Sequence, residues 1–138
     1  DGALTLTEAP LVIEVAGTLS AGQAFAASIA IPNLFSYLLM KLTAYRDRRS
    51  DADKDLGRHH ALDVFRILAM LTESEVDQVK ENLRRYAADA QVRSCVELVR
   101  SDFGSPTAPG VLAMRAHPLW QNDEHLAVFL ETIVEILP

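Results

Sequence analysis

The sequence predicts an α+β fold, a small N-terminal sheet of about three strands followed by four or five α-helices. Three observations carry this. Residues 3 to 31 alternate apolar and polar or small side chains with period two, and from Pro32 onward the apolar spacing becomes helical. The 138 residues, 49% of them hydrophobic, suit one domain with a genuine core. Residues 1–138 are therefore read as a single unit, with a sheet portion over 1–31 and a helical portion over 32–138.

Leu4 and Leu6 alternate with polar or small residues as a first strand. In PLVIEV, Leu11, Ile13 and Val15 share one face and Glu14 points to the other. The loop GTLSAGQ separates this run from AFAASIAI, which places Phe25, Ala27, Ile29 and Ile31 opposite Ala24, Ala26, Ser28 and Ala30. A strand with one large and one small face suits a sheet closely approached by a helix.

Asn33 is the expected cap of a first helix with the stripe Leu34, Phe35, Leu38, Leu39, Leu42 and Tyr45. After the charged segment that follows, Leu62, Phe65, Leu68 and Leu71 form a second helix, expected to start between Asp55 and His60. Thr72-Glu73-Ser74-Glu75 has the form of a capping box and opens a third, with Val76, Val79, Leu83 and Tyr86 on one face. Val92, Cys95, Val96, Val99 and Phe103 form a fourth stripe ending at Gly104. SPTAPG reads as a loop and VLAMRAH fits either helix or loop. Asn122 is the expected cap of a last helix bearing Leu126, Phe129, Leu130, Ile133 and Leu137.

Composition excludes some classes of function. Nineteen acidic against thirteen basic residues give a formal charge of -6, which is the wrong sign for a general duplex-DNA footprint. The apolar run from Ala24 to Met40 is broken by Pro32-Asn33 and diluted by Ser28 and Ser36, so no membrane span is expected. Cys95 is the single cysteine, so no intrachain disulfide can form, and a cytoplasmic location is expected. It lies on an apolar stripe, where a thiol packs as a small hydrophobe.

Several residues carry possible chemistry. Glu14, in mid-strand, either faces solvent or supplies a rigid oxygen ligand to a hard cation. Lys41, beside the stripe of the first helix, either snorkels to the surface or holds a phosphate. If the second helix starts early enough, Asp55, His59 and Asp63 share a face at i, i+4 and i+8, with His60 and Asp63 at i, i+3. Such a set can converge on a cation or form an ordinary polar helix start.

The run SIAIPNLFSYLLMKLTAYRDR, followed by Lys54-Asp55 and then Ala61-Leu62-Asp63-Val64, resembles the second half of nucleotidyltransferase-fold proteins of the AbiEii-like abortive-infection type. The matching positions are Leu38, Leu39, Lys41, Leu42, Ala44, Arg46 or Arg48, Lys54, Asp55 and Asp63, within a region from near Glu14 to Leu71. The resemblance implies Mg2+-dependent transfer of a nucleoside monophosphate from a nucleotide triphosphate. Glu14 would be the third metal-binding carboxylate, Lys41 a phosphate contact, and Lys54, Asp55 and Asp63 part of the pocket. A toxin–antitoxin role, with an antitoxin-like protein or RNA as partner, belongs to the same resemblance. The family's Gly-Ser and paired aspartates do not precede Glu14, and Gly104-Ser105 is the only Gly-Ser. These residues should thus not be catalytically complete alone, since a two-metal site needs more than one strand carboxylate. The chain is expected to be a fragment whose upstream part carries the pair, a reading favoured by its Asp-Gly start, or a relative without transfer activity. The alternative function is a non-enzymatic helical domain that binds a protein partner.

Overall fold

A computed structural model describes residues 10–137. An antiparallel hairpin of β1 (Leu11–Thr18) and β2 (Ala24–Ile31) is followed by six α-helices, so the fold is α+β with two described strands. The strand expected at Leu4 and Leu6 lies outside the described residues.

The hairpin pairs Glu14 with Ser28 and Ile13 with Ile29. Its turn closes through Gly22, whose φ of 78° suits a residue without Cβ, and Leu19 N–H donates to the Gln23 carbonyl at 2.8 Å. Cross-strand register places Leu11, Ile13, Val15, Phe25, Ala27, Ile29 and Ile31 on one face, as the alternation predicts. The expectation that a helix covers this sheet is overturned. Both strands are exposed along almost their whole length, Ala27 and Ile31 alone being half-buried. The ribbon meets the helices near its base, where Pro10, Leu11, Ile31 and Pro32 share a cleft with Tyr37 and Gln78. Alternation identifies an apolar face, and does not say what lies against it.

The core belongs to the helices. α1 (Leu34–Arg48) starts where Asn33 Oδ1 accepts from Ser36 N–H at 2.9 Å, and its predicted stripe is buried at Phe35, Leu38, Leu39, Leu42 and Tyr45. α2 (Arg58–Ala69) runs antiparallel to it and buries Ala61, Leu62, Val64, Ile67 and Leu68. Between them a 3-10 turn (Ala52–Gly57) passes through three successive left-handed residues, Asp55, Leu56 and Gly57, with φ of 57°, 51° and 69°. Gly57 is needed here twice over: its φ is positive, and a Cβ would lie 3.0 Å from the Tyr45 ring.

α3 (Glu73–Arg85) opens with the expected capping box, the Glu75 carboxylate accepting from the Thr72 N–H at 2.8 Å. α4 (Ala90–Asp102) is capped by Asp89, which accepts from the Gln91 and Val92 amides. α5 (Pro109–Arg115) begins inside the segment expected to be a loop, because Pro109 occupies the first helical turn, where its missing N–H and fixed φ cost nothing. This helix is the reason the count exceeds the four or five expected. Gly110 lets it approach α4 closely, since a Cβ there would lie 2.7 Å from the Asp102 carbonyl and the Phe103 ring. α6 (Leu126–Ile136) starts at His125, so Asn122 is not its cap; Asn122 Oδ1 instead accepts from Glu124 N–H in the preceding turn.

One buried charge links these helices. Asp102, 3% exposed, accepts from the Tyr45 hydroxyl at 2.9 Å, the Arg49 guanidinium at 2.5 Å and the Ser101 hydroxyl at 2.6 Å. Burial alone would raise its carboxyl, and the three hydrogen bonds outweigh burial and hold it below the ordinary aspartate value. Replacing Asp102 by Ala would leave the Tyr45 hydroxyl orphaned while the half-exposed Arg49 regains water. The expected cost is about 3 kcal/mol, the lower end for breaking a buried pair, read as a lowered urea midpoint at unchanged slope.

Candidate functional site

The antiparallel pairing of α1 and α2 assembles a polar cluster from three of the residues singled out in sequence. Lys41 Nζ donates to Asp63 Oδ2 at 2.6 Å, and His59 Nε2 lies 3.5 Å from the same oxygen. Arg66 reaches the other oxygen at 3.9 Å. Asp63 thus sits half-buried among three basic groups, each offset by helical spacing or by the α1–α2 contact. Burial works against the Lys41 ammonium, but the hydrogen bond and charge of Asp63, helped by Tyr37, raise its pKa above the ordinary lysine value. The Tyr37 ring lies 5.2 Å from Lys41 Nζ, a favourable cation–π geometry.

Two turns further along α1, the Arg48 guanidinium contacts His60 Nε2. A guanidinium has only donors, so the imidazole accepts at Nε2 and carries its proton on Nδ1. Nδ1 is buried and lacks a hydrogen-bond partner among the described residues. The His59 ring is 5.6 Å from the His117 ring, which brings the end of α5 to the same cluster. In sequence, Tyr37 and His117 carry no expected site role and Arg48 is named only as an alternative to Arg46 in the resemblance; helical spacing from Lys41 could have found Tyr37, whereas His117 needs the tertiary fold.

The other expected site residues are not part of this cluster. Asp55 precedes α2, is left-handed and pairs with Arg58 at 3.6 Å, so the predicted i, i+4, i+8 face of Asp55, His59 and Asp63 does not form. Lys54 pairs with Asp51 at 3.0 Å in the 3-10 turn. Glu14 lies in the middle of the exposed ribbon and accepts from the Ser28 hydroxyl of the neighbouring strand. Among the described residues, no group of three or more His, Cys, Asp or Glu side chains is placed to hold a metal ion. Cys95 is buried between α1 and α4, 3.8 Å from the Thr43 hydroxyl, and burial pushes its thiol up. Trp120 packs edge-on against Phe65 with ring centres 4.9 Å apart.

Two surface features accompany the cluster. One is the apolar ribbon, whose Leu11, Val12, Ile13, Val15, Phe25 and Ile29 are each 40% to 59% exposed. The other is a groove of about 530 Å3 bounded by α3, α4 and the end of α6. Among the described residues, no helix is long and apolar enough to cross a membrane. Comparison of the chain with protein-family models, curated proteins and solved structures finds no match.

The cluster has a definite pH signature. Burial first, then the positive charges of Arg48, Lys41 and His59, hold His60 below the histidine value of 6.5, with Asp63 pulling the other way. A depressed histidine contributes stability above its unfolded pKa and loses it as pH falls through the folded value. Urea midpoints should therefore start to drop as pH falls below about 6.5, before the lowered carboxyls of Asp51, Glu75 and Asp102 titrate. His60→Gln should flatten that part of the profile; an unchanged slope would show that the contact with Arg48 has no such effect.

Proposed function

We propose that the chain is a non-enzymatic protein-interaction domain, cytoplasmic as its lone thiol suggests, in which a helical body displays an apolar β-ribbon to a partner. The observation that carries this reading is the exposure of both strands along their length. A two-stranded hairpin is marginal in water by itself, and uncovered apolar patches of more than a few hundred Å2 mark contact surfaces. Natural edge strands are usually guarded by charge, proline or bulges. Here β2 carries no charged side chain and β1 carries Glu14 alone, already engaged with Ser28. The six half-exposed apolar side chains offer roughly 1 kcal/mol each if covered, and added edge hydrogen bonds would fix the register of an incoming strand. The charged residues of the helical body support the same reading. Lys41 is neutralised by Asp63 and Lys54 by Asp51, so each has a protein partner where a nucleotide phosphate would compete.

A second reading is the nucleotidyltransferase one. It draws on the approach of Lys41 to Asp63 and on the open sheet edge, to which further strands could add metal-binding carboxylates beside Glu14. In that reading the ligands are a nucleotide triphosphate and Mg2+, with an antitoxin-like protein or RNA as acceptor or partner.

A residue-resolved NMR titration separates the two. A lysine-capped peptide of alternating Val and Thr should shift amides of β1 and β2, and Ile13→Thr with Ile29→Thr should abolish the shifts while leaving the helical spectrum intact. ATP or GTP with Mg2+ should leave Lys41 and Asp63 unmoved. Nucleotide-induced shifts at those residues, lost in Lys41→Ala and Glu14→Ala, would replace the interaction reading with the transferase one.

A further inference from the structure

A second contact surface, independent of the ribbon, lies on the helical body. α3 and α4 are consecutive and joined by a tight turn in which Asp89 N–H donates to the Tyr86 carbonyl at 2.9 Å. Each packs on α1 and α6 more than on the other, so they diverge. The groove between them has an apolar floor of Leu83, Val92, Val96 and Ile136. Val92 and Ile136 are buried, while Leu83 and Val96 stay half-exposed.

The banks are basic. Lys80 and Arg84, one turn apart on α3, stand across from Arg93 and Arg100, two turns apart on α4, with Glu97 and Glu135 as the acidic lining residues. Four of the chain's thirteen basic residues thus border one apolar groove in a molecule of net charge -6. The present partners of Lys80, Arg84 and Arg93 are weak competitors. Lys80 pairs with Glu135 at 2.5 Å and Arg84 with Glu81 at 2.6 Å, and both carboxylates are well exposed. Arg93 donates to the Ala88 carbonyl at 2.5 Å. Exposed pairs of this kind are worth less than about 1 kcal/mol and exchange readily.

The walls also restrict the backbone of an occupant. They are helices whose own amides are already paired, so no strand edge is offered, and ligand backbone groups that face the apolar floor find no partner there. A helix pairs its own backbone groups, and one laid between two diverging helices packs ridges into grooves. We propose that the α3–α4 groove binds an amphipathic helix of a partner protein, its apolar stripe on the floor and its flanking Asp and Glu residues on the two basic banks.

The test uses two fluorescein-labelled synthetic helices with Leu at i, i+3, i+4 and i+7, one flanked by Glu and one by Lys, followed by fluorescence anisotropy on the full chain. The Glu helix should bind saturably and about tenfold or more tighter than the Lys helix, with affinity falling as salt rises. The double variant Arg84→Glu, Arg93→Glu should invert that preference, with circular dichroism and thermal melting confirming that the helices are intact. Equal binding of both helices, no saturable binding, or an unchanged preference in the double variant would overturn the proposal. Displacement of the bound Glu helix by oligouridine would overturn it in favour of a single-stranded RNA site.

Discussion

The helical body depends on one carboxylate, that of Asp102, buried where three helices converge. It takes hydrogen bonds from Tyr45 and Arg49 at the end of α1 and from its neighbour Ser101, while Gly110 lets the start of α5 press against its backbone. A buried charge costs several kcal/mol to desolvate, so it persists only where its partners are held in place. The surrounding rings provide that rigidity: Tyr45 packs edge-on against Phe103 at 5.2 Å, and Phe103 against Phe129 at 6.3 Å. The ends of α1 and α4 are thereby locked together, and Lys41, which meets Asp63, stands one turn before Tyr45 on the same α1.

The ribbon obeys no such constraint. Its strands are stitched to each other, and it joins the body through the short segment between Ile31 and Leu34. The two parts therefore differ in character: the helices hold the buried core, and the hairpin is mostly exposed. The α3–α4 groove adds a second surface of different character, apolar between basic banks, in an otherwise acidic chain. In the proposed readings a strand-like partner suits the first and a helical partner the second, because each strand of the described ribbon has one edge outside the β1–β2 pairing.

Much of the helical body was legible in the sequence. Asn33 and the Thr72–Glu75 box marked helix starts because a capping side chain acts within three residues. The stripe from Phe35 to Tyr45 gave the buried face of α1 for the same local reason. α5 was hidden because Pro109 and Gly110, read as loop residues, serve here as a helix start and a close contact. Asp102 could have been noticed, since it stands three residues beyond Val99 and four beyond Leu98 on a buried face where a carboxylate is costly. What could not be read locally was whatever depends on tertiary placement: the bare sheet, the approach of His117 to His59, and the groove left by two diverging helices.

The left-handed run at Asp55, Leu56 and Gly57 has a consequence for the cluster beyond its local geometry. In an antiparallel helix pair, the segment 49–57 fixes where α2 starts relative to the end of α1, and so which of its residues face α1. Lys41–Asp63 and Arg48–His60 are two teeth of one meshed gear, matched from the same loop. The loop thus works as a spacer of defined length. Its side chains at 52–54 can vary more freely than the left-handed run itself, because that run sets the start of α2 on which both pairs depend.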